Sequence, residues 1–175
     1  MGQSRLSFRH YPIRPRYHLS TDADREVQAW CNDSVTTRYM ATGRRHVTRS
    51  MANWLWGGPY AFLVVADGVR VGVVGLYELD RLSEKAELRI ILGAGRGQGI
   101  GTAAVRWMLD YGFRRLRLWR IYLGTAQKNE AAVRCFYKCG FVNEALLVDD
   151  LRRDGFRFTN VRMAILRPAW EAQRR

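Results

Sequence analysis

The alternation of hydrophobic and polar positions divides the chain into helical and extended regions. Thr21 and Asp24 have the spacing of a capping box, and the apolar residues after them recur at helical spacing, which predicts a first helix ending at Asn32. A second helix is predicted over about residues 47–56, because the Gly-Gly-Pro sequence at residues 57–59 stops it. The amino-terminal third is therefore predicted to be mainly helical.

Extended segments follow, separated by turn residues. Three runs rich in Val, Leu, Ile and Phe, at residues 60–66, 69–79 and 86–92, predict antiparallel strands, the first two joined at the turn Asp67-Gly68. The later segments are an amphipathic helix at 100–111, a strand at 119–124, a helix at 129–139 and a hairpin of 141–151 with 156–166. This order predicts one domain over residues 1–175, with 1–16 as an extended lead-in to a strand near Tyr17–Leu19 and 168–175 as a C-terminal tail.

Composition and charge narrow the function classes. The chain has 175 residues, 47% of them hydrophobic, and a formal net charge of +13. Only three of its 29 basic residues are lysine. This charge suits an RNA or ribosome surface, or alternatively an arginine-rich coding bias combined with a phosphate-bearing cofactor. No apolar run approaches the roughly 20 residues of a membrane span, and no signal-peptide core is present, so we predict a cytoplasmic protein without a membrane partner.

The three cysteines, Cys31, Cys135 and Cys139, do not form a disulfide framework because their number is odd and their spacing is unpaired. Cys135 and Cys139 share a predicted helix face, as two zinc ligands would. No histidine cluster or further cysteine pair completes such a site. We therefore predict buried apolar cysteines and no metal.

A glycine-rich stretch at residues 96–101, Arg-Gly-Gln-Gly-Ile-Gly, lies between a predicted strand and a predicted helix. Backbone N–H groups and the positive end of the helix dipole meet there, which favours an anion such as phosphate. A dinucleotide fold would place this loop near the N-terminus, with an acidic residue about 20 positions later. A Walker loop would end in Gly-Lys-Ser/Thr. Neither pattern is present.

Two motifs give the chain a family resemblance. Residues 96–101 fit the R-x-x-G-x-G motif of the GNAT acyltransferase superfamily, and residues 129–132 with 136–141 resemble its second signature. The segments at 30–33 and 140–144 further resemble the ribosomal-protein-alanine N-acetyltransferase branch. Over residues 17–167, the resemblance implies an α/β (α+β) fold with a central mixed, mostly antiparallel sheet of about seven strands and about four flanking helices. It also implies acetyl-CoA as acyl donor.

The resemblance assigns the cofactor-binding residues. The backbone N–H groups around Gln98, Gly99, Gly101 and Thr102 would hold the pyrophosphate. The cofactor-binding residues of the loop are Arg96, Gly97, Gln98, Gly99, Ile100, Gly101 and Thr102. Arg96 could add a charge contact. Ile91 and Leu92 would pair their backbone with the pantetheine arm, and Asn129 would contact that arm where two strands separate. A plain helix cap is the alternative role for Asn129.

Acetyl transfer to an amine requires a base, because an alkylammonium group must lose a proton before it reacts. Glu87, on the strand before the loop, is the predicted base, and Glu78 is the second candidate. The alternative for Glu87 is a cross-strand ion pair with Arg89 or Arg70. These interpretations remain open at the level of the sequence.

At the position where the family often has its general acid, this chain departs from the family pattern. The superfamily often has tyrosine where this chain has Phe136, and Tyr137 follows it. Because one residue turns a helix by about 100°, either a local distortion presents Tyr137 to the thioester sulfur or no tyrosine acid is used. Tyr137 is the predicted catalytic acid.

Among the expected partners, the amine that accepts the acetyl group is the one that the sequence specifies least. A protein N-terminal amine is our first expectation, and polyamines, aminoglycoside-type antibiotics, amino sugars and aminoacyl-tRNA are alternatives. Trp54 and Trp56 could wall the acceptor site, with core packing as the alternative. Four acidic residues could attract an amine, with a solvated hairpin as the alternative: Glu144, Asp149, Asp150 and Asp154. A catalytically weak CoA-binding or RNA-binding protein is the rival class, and a homodimer is a further open partner.

Overall fold

The extended segments predicted from the sequence assemble into one seven-stranded sheet. The computed structural model describes residues 5–12, 21–39, 46–153 and 155–174. In chain order the strands are β1 (Leu6–His10), β2 (Ala61–Ala66), β3 (Val69–Asp80), β4 (Lys85–Leu92), β5 (Arg120–Ala126), β6 (Val142–Arg153) and β7 (Phe156–Leu166). Their spatial order is β1-β2-β3-β4-β5-β7-β6. The predicted mixed sheet of about seven strands is confirmed.

All neighbouring strands are antiparallel except one central pair. β4 and β5 run parallel. A parallel pair cannot be joined by a tight turn, so the chain between them crosses over the sheet through a long helix. This crossover places the glycine-rich stretch at the end of β4, at one edge of the central pair.

Helices cover both faces of the sheet. They are α1 (Asp22–Asn32), α2 (Ser34–Thr37), α3 (Arg49–Trp56), α4 (Ile100–Asp110), α5 (Glu130–Lys138) and α6 (Arg167–Ala172), with a π-helical turn at Tyr111–Arg115 extending α4. One buried cluster includes Ala104 and Met108 of α4, Phe136 of α5 and Trp170 of α6. The other packs α1 and α3 on the opposite face. We call these the α4 face and the α1 face.

Within the predicted extended lead-in, residues 6–10 form a strand, β1, that the sequence analysis did not assign. This strand pairs antiparallel with β2, from Leu6↔Ala66 to His10↔Phe62. Leu6 and Phe8 pack on the α4 face, and the Phe8 ring stacks on Trp107 with centroids 3.9 Å apart. The strand predicted near Tyr17–Leu19 lies outside the described residues.

The predicted C-terminal tail begins with residues of a short helix, α6, that the sequence analysis did not assign. Pro168 lies in the first turn of this helix, where the missing N–H of proline costs nothing. Trp170 is buried, and its ring lies 5.2 Å from that of Phe113. Arg167 donates from Nε to the carbonyl of Leu118 at 2.7 Å. The helix therefore closes the α4 face beside the π-helical turn.

Trp170→Ala tests this structural role of α6. Removing a large buried ring is expected to lower the free energy of unfolding by about 3 kcal/mol and Tm by about 10 °C. Trp54→Ala is the matched control, because Trp54 is 71% exposed. Thermal unfolding followed by circular dichroism measures both. Equal Tm values for the two variants would contradict the assignment.

The length and apolar character of the helices decide whether one of them could span a membrane. Among the described residues, none of them is both long enough and apolar enough to cross a bilayer.

Candidate active site

The site is framed by the point at which β4 and β5 separate. Their parallel pairing covers three residue pairs and stops at Glu87↔Tyr122. Beyond that pair, β4 continues to Leu92 beside β3, and β5 continues to Ala126 beside β7. The facing edges of the two strands therefore open into a cleft, where backbone N–H and C=O groups can pair with an extended ligand.

The glycine-rich loop closes one end of this cleft. Gly97 and Gly99 have φ values of +79° and +80°, a left-handed conformation that other residues rarely adopt. A Cβ atom built on either glycine would have no other atom within 4 Å, so the space above the loop is open. Ile100 is buried on the α4 face and anchors the start of α4. The first N–H groups of a helix have no partner within it, so the loop fits a pyrophosphate.

Two contacts hold the loop against the α1 face. The indole of Trp30 lies so close to Gly93 that a Cβ there would fall 2.1 Å from the ring. The Arg96 side chain donates to the carbonyl of Leu92 at 2.7 Å and to the hydroxyl of Thr36, and it lies 3.8 Å from the Asp33 carboxylate. Arg96 therefore links the loop to the α1–α2 junction. The sequence predicted a phosphate contact for Arg96 but not this structural role.

Glu87 lies at the opening of the cleft, on the α1 face of β4. Its side chain is 16% exposed and accepts a hydrogen bond from Arg89 Nε at 2.5 Å. The same guanidinium donates from Nη2 to Glu78 at 2.6 Å, so two carboxylates share one cation. Arg70 pairs instead with Glu26 of α1, at 2.6 and 2.8 Å. The structure thus brings both candidate bases together, and the ion pair with Arg89 exists beside any catalytic role.

Two tyrosines flank Glu87 on the neighbouring strands. Tyr77 lies opposite it on β3, with its hydroxyl donating to the carbonyl of Trp56 at 2.5 Å. Tyr122 lies opposite it on β5 and donates to Glu78 at 3.4 Å. Partial burial, and then the nearby negative charges of Glu78 and Glu87, raise the pKa of Tyr122, so its phenol stays protonated at neutral pH. Sequence reasoning missed Tyr122.

Helix α5 contributes the second signature. Asn129 occupies the N-cap position of α5, but its side chain makes no capping hydrogen bond and instead reaches Thr125 Oγ1 at 3.4 Å. The helix runs without interruption to Lys138. Phe136 is buried against Phe141, and Tyr137 is 48% exposed. The regular helix shows no local distortion at Tyr137, whose role as acid stays a prediction.

The acidic residues of the last hairpin differ in their partners. Glu144 pairs with Arg120, which lowers the pKa of the carboxyl. Asp150 accepts a hydrogen bond from the buried amide of Asn160 at 2.7 Å, and Asp149 lies with positive φ where the β6–β7 register shifts. Asp154 lies outside the described residues. Of these carboxylates, Asp150 is held by a neutral partner, the side-chain amide of Asn160.

The two candidate tryptophans differ in burial, and the cysteines form neither a disulfide nor a metal site among the described residues. Trp56 is buried on the α1 face, whereas Trp54 is largely exposed. All three cysteines are free thiols. Within the described residues, no group of three or more His, Cys, Asp or Glu side chains could hold a metal ion.

Comparison with known proteins identifies this architecture. The model of the acetyltransferase (GNAT) domain family matches residues 13–142. A crystal structure of spermidine N-acetyltransferase from Vibrio cholerae in complex with CoA and spermine superposes with a TM-score of 0.77 and 26% identity, covering 95% of this chain and 98% of that one.

Two curated relatives show similar levels of identity. Spermidine N(1)-acetyltransferase of Escherichia coli K12 is 33% identical over 113 residues, which cover 64% of this chain. The match spans only 61% of that relative's length. A putative ribosomal N-acetyltransferase of Bacillus subtilis is 31% identical over 126 residues, covering 68% of this chain and 69% of the relative. With the family model matched over most of its length, the chain belongs to the GNAT acetyltransferase family.

Proposed function

We propose that this protein transfers the acetyl group of acetyl-CoA to a primary amine of a small polyamine such as spermidine. The observation that supports this reaction is the cleft between β4 and β5. The cleft has the glycine-rich loop at one end and Glu87 at its opening. The acceptor class is supported by the similarity to spermidine N-acetyltransferases in sequence and in fold. These relatives favour a small amine over the protein N-terminus that we expected from the sequence.

The donor site is formed by the loop, the strand edge and α5. We assign the pyrophosphate to the backbone N–H groups of residues 97–102, and the pantetheine arm to the β4 edge at Ile91 and Leu92 and to Asn129. The amide of Asn129 is not used as a helix cap, which leaves it available for this contact. Acetyl-CoA supplies a thioester, whose acyl group an uncharged amine can accept.

Glu87 has the position of the proton acceptor. An acceptor ammonium has a reference pKa near ~10.4, so a carboxylate beside it is needed to hold the ammonium and take up its proton, directly or through water. Glu87 is partly shielded from solvent and fixed by Arg89, which keeps its free oxygen in one place. Glu78 lies on the same guanidinium and can accept the proton in turn.

Tyr122 adds a phenol to this cluster. Because α5 places Phe136 in the core, the hydroxyl of Tyr122 is a donor at the opening of the cleft that the second signature does not provide. We assign it to orienting Glu78 and the acceptor nitrogen. This assignment does not depend on the exposed Tyr137.

Tyr122→Phe is expected to lower kcat about tenfold, which corresponds to the loss of one hydrogen bond to a charged group. The KM for acetyl-CoA should remain unchanged, because the loop does not involve this residue. Steady-state kinetics with spermidine measure both values. Tyr137→Phe is made in parallel, and a fall in kcat confined to that variant would assign the proton donor to α5 instead.

Local charge favours a cationic acceptor despite the net charge of +13. Glu87 and Glu78 share the single guanidinium of Arg89, which leaves one negative charge beyond what Arg89 neutralises. Two further guanidinium groups lie near Tyr122: Arg162, with its guanidinium carbon 5.6 Å from the ring centre, and Arg120, at 5.8 Å, which is paired with Glu144.

A thiol-release assay over an amine panel tests the proposal. The panel contains spermidine, putrescine, glucosamine and a short peptide with N-terminal alanine. We expect kcat/KM for spermidine to exceed that for the peptide by about a hundredfold, since only the polyamine offers two charges to the carboxylates. No turnover with any amine, although acetyl-CoA raises Tm, would support a cofactor-binding protein instead.

A second candidate is acetylation of a protein N-terminus. It is supported by the similarity to the putative ribosomal N-acetyltransferase and by the positive charge, which suits a ribosome surface. Preference for the alanine peptide in the same panel would establish it.

A further inference from the structure

Arg89 is held at the candidate active site by three groups on the α1 face of the sheet. Its Nε atom donates to Glu87 at 2.5 Å, and its Nη2 atom donates to Glu78 at 2.6 Å. Its guanidinium carbon lies over the ring of Tyr77, 4.8 Å from the ring centre. A cation in this position is attracted by the negative charge of the aromatic face. The ring of Tyr77 is therefore a third partner of the cation that holds both candidate bases.

A glycine opposite Arg89 makes room for this ring. Gly75 pairs with Arg89 across β3 and β4, and Tyr77 follows two residues later on the same face of β3. A Cβ built on Gly75 would lie 2.8 Å from Tyr77 Cε2 and 3.0 Å from Tyr77 Cζ, which is closer than side chains approach. The ring of Tyr77 thus leans over Gly75, into the space that a side chain at residue 75 would fill.

The hydroxyl of Tyr77 fixes the far end of the ring. It donates to the backbone carbonyl of Trp56, at the end of α3, at 2.5 Å. Burial raises the pKa of the Tyr77 phenol more than the nearby charge of Arg89 lowers it, so the phenol stays protonated at neutral pH. The ring is therefore held in one place and does not exchange its proton in the reaction.

A bulge in β3 brings Glu78 to the same cation. Successive residues of a regular strand point to opposite faces, so a regular β3 would turn Glu78 away from the α1 face that Tyr77 occupies. Instead, the β3–β4 register shifts between Tyr77 and Asp80, and Glu78 has a φ of +50°. This irregularity places the Glu78 carboxylate on Arg89. Because both carboxylates bond one guanidinium, the position of that guanidinium sets the position of both.

We propose that Tyr77 is a positioning residue for acetyl transfer: its ring holds the guanidinium of Arg89, which in turn fixes the two carboxylates beside the acceptor amine. The proposal rests on the proposed function, because it takes Glu87 as the proton acceptor. Tyr77 acts through Arg89 and gives up no proton. The alternative role for Tyr77 is packing alone, since its ring also belongs to the cluster that joins α3 to the sheet.

Two substitutions of Tyr77 separate positioning from packing. Tyr77→Leu removes the ring, whereas Tyr77→Phe keeps the ring and removes only the bond to the carbonyl of Trp56. With spermidine, Tyr77→Leu is expected to lower kcat about tenfold, because a displaced carboxylate is misaligned with the amine. The KM for acetyl-CoA should remain unchanged. Tyr77→Phe should recover most of the lost kcat, although both variants lower Tm. Equal losses of kcat in the two variants would overturn the proposal.

Gly75→Ala tests the same geometry without changing Tyr77. Its Cβ should displace the ring from Arg89 and lower kcat about tenfold, as in Tyr77→Leu. Gly58→Ala is the matched control, because a Cβ on Gly58 would lie 3.6 Å from Tyr77 Cε1, an ordinary contact with the same ring. Neither glycine has a positive φ, so alanine adds no backbone strain at either position. Equal kcat values for the two alanine variants would contradict the role of the ring.

Hydrogen exchange at the Arg89 side chain tests the platform without any acceptor. The Nε–H proton of Arg89, identified in a nitrogen–proton NMR spectrum by its absence in Arg89→Lys, bonds Glu87. Its exchange with water should be at least about tenfold faster in Tyr77→Leu than in wild-type protein or Tyr77→Phe. Unchanged exchange in Tyr77→Leu overturns the proposal whichever amine is acetylated. Faster exchange in Tyr77→Leu, with no turnover of spermidine by the wild-type protein, supports the platform and contradicts the proposed function.

Discussion

Gly99→Asp is expected to weaken acetyl-CoA binding by roughly a hundredfold or more and to leave the protein folded. The substitution places a carboxylate in the open space above the loop, where no atom lies within 4 Å of the new Cβ. Two like charges about 4 Å apart near a protein surface repel by about 4 kcal/mol. The backbone cost is small, since aspartate tolerates a φ of +80° at about 1 kcal/mol.

Gly68→Asp is the matched control for this prediction. Gly68 has a φ of +84° and an equally open Cβ position, but it lies in the turn between β2 and β3. The two variants therefore share the same backbone strain and the same added charge. Isothermal titration with acetyl-CoA and thermal unfolding should show equal Tm values and a loss of binding in Gly99→Asp alone. Equal affinities of the two variants for acetyl-CoA would contradict the assignment of the pyrophosphate to the loop.

Much of the fold follows from local sequence pattern. Long apolar runs with the turn at Asp67-Gly68 predicted β2 to β4, and helical spacing with a capping residue predicted α1, whose N-cap Thr21 accepts from Asp24 N–H as expected. β1 and α6 were missed for a physical reason. Both are five or six residues long, and their stability comes from distant partners, β2 for one and Phe113 for the other. Short elements of this kind carry no periodicity that a single sequence reveals.

The site was predictable only in part. The position of Glu87 beside the cleft was predictable from its place on the strand before the loop, and the position of the loop glycines was predictable from their motif; their roles stay predictions. The position of Tyr122 was not predictable, because its place opposite Glu87 depends on the register of a parallel pair joined through a crossover helix. No local pattern fixes that register. Arg96 was assigned to the cofactor by the motif and by its charge, and its bonds to Leu92 and Thr36 depend on how α2 packs against the loop.

Glu87→Gln is expected to lower kcat for spermidine about a hundredfold and to leave the KM for acetyl-CoA unchanged. The amide preserves the shape of the side chain but cannot take up a proton, and positioned general bases contribute about 10²–10⁴ to rate. Arg89 keeps its second partner, Glu78, so the strand geometry should survive. Because the free amine becomes more abundant as pH approaches ~10.4, the deficit of the variant should shrink as pH rises.

Glu26→Gln separates this chemistry from the loss of an ion pair. Glu26 and Glu87 both bond an arginine through Nε, at 2.6 and 2.5 Å, but Glu26 lies on α1 and pairs with Arg70 of β3. If Glu87 serves only to hold Arg89, both variants should lower Tm slightly and change kcat little at every pH. If Glu87 accepts the proton, only Glu87→Gln shows a kcat deficit that diminishes with rising pH. If the kcat deficit of Glu87→Gln does not change with pH, the role of base would be assigned to Glu78, the other carboxylate paired with the same guanidinium.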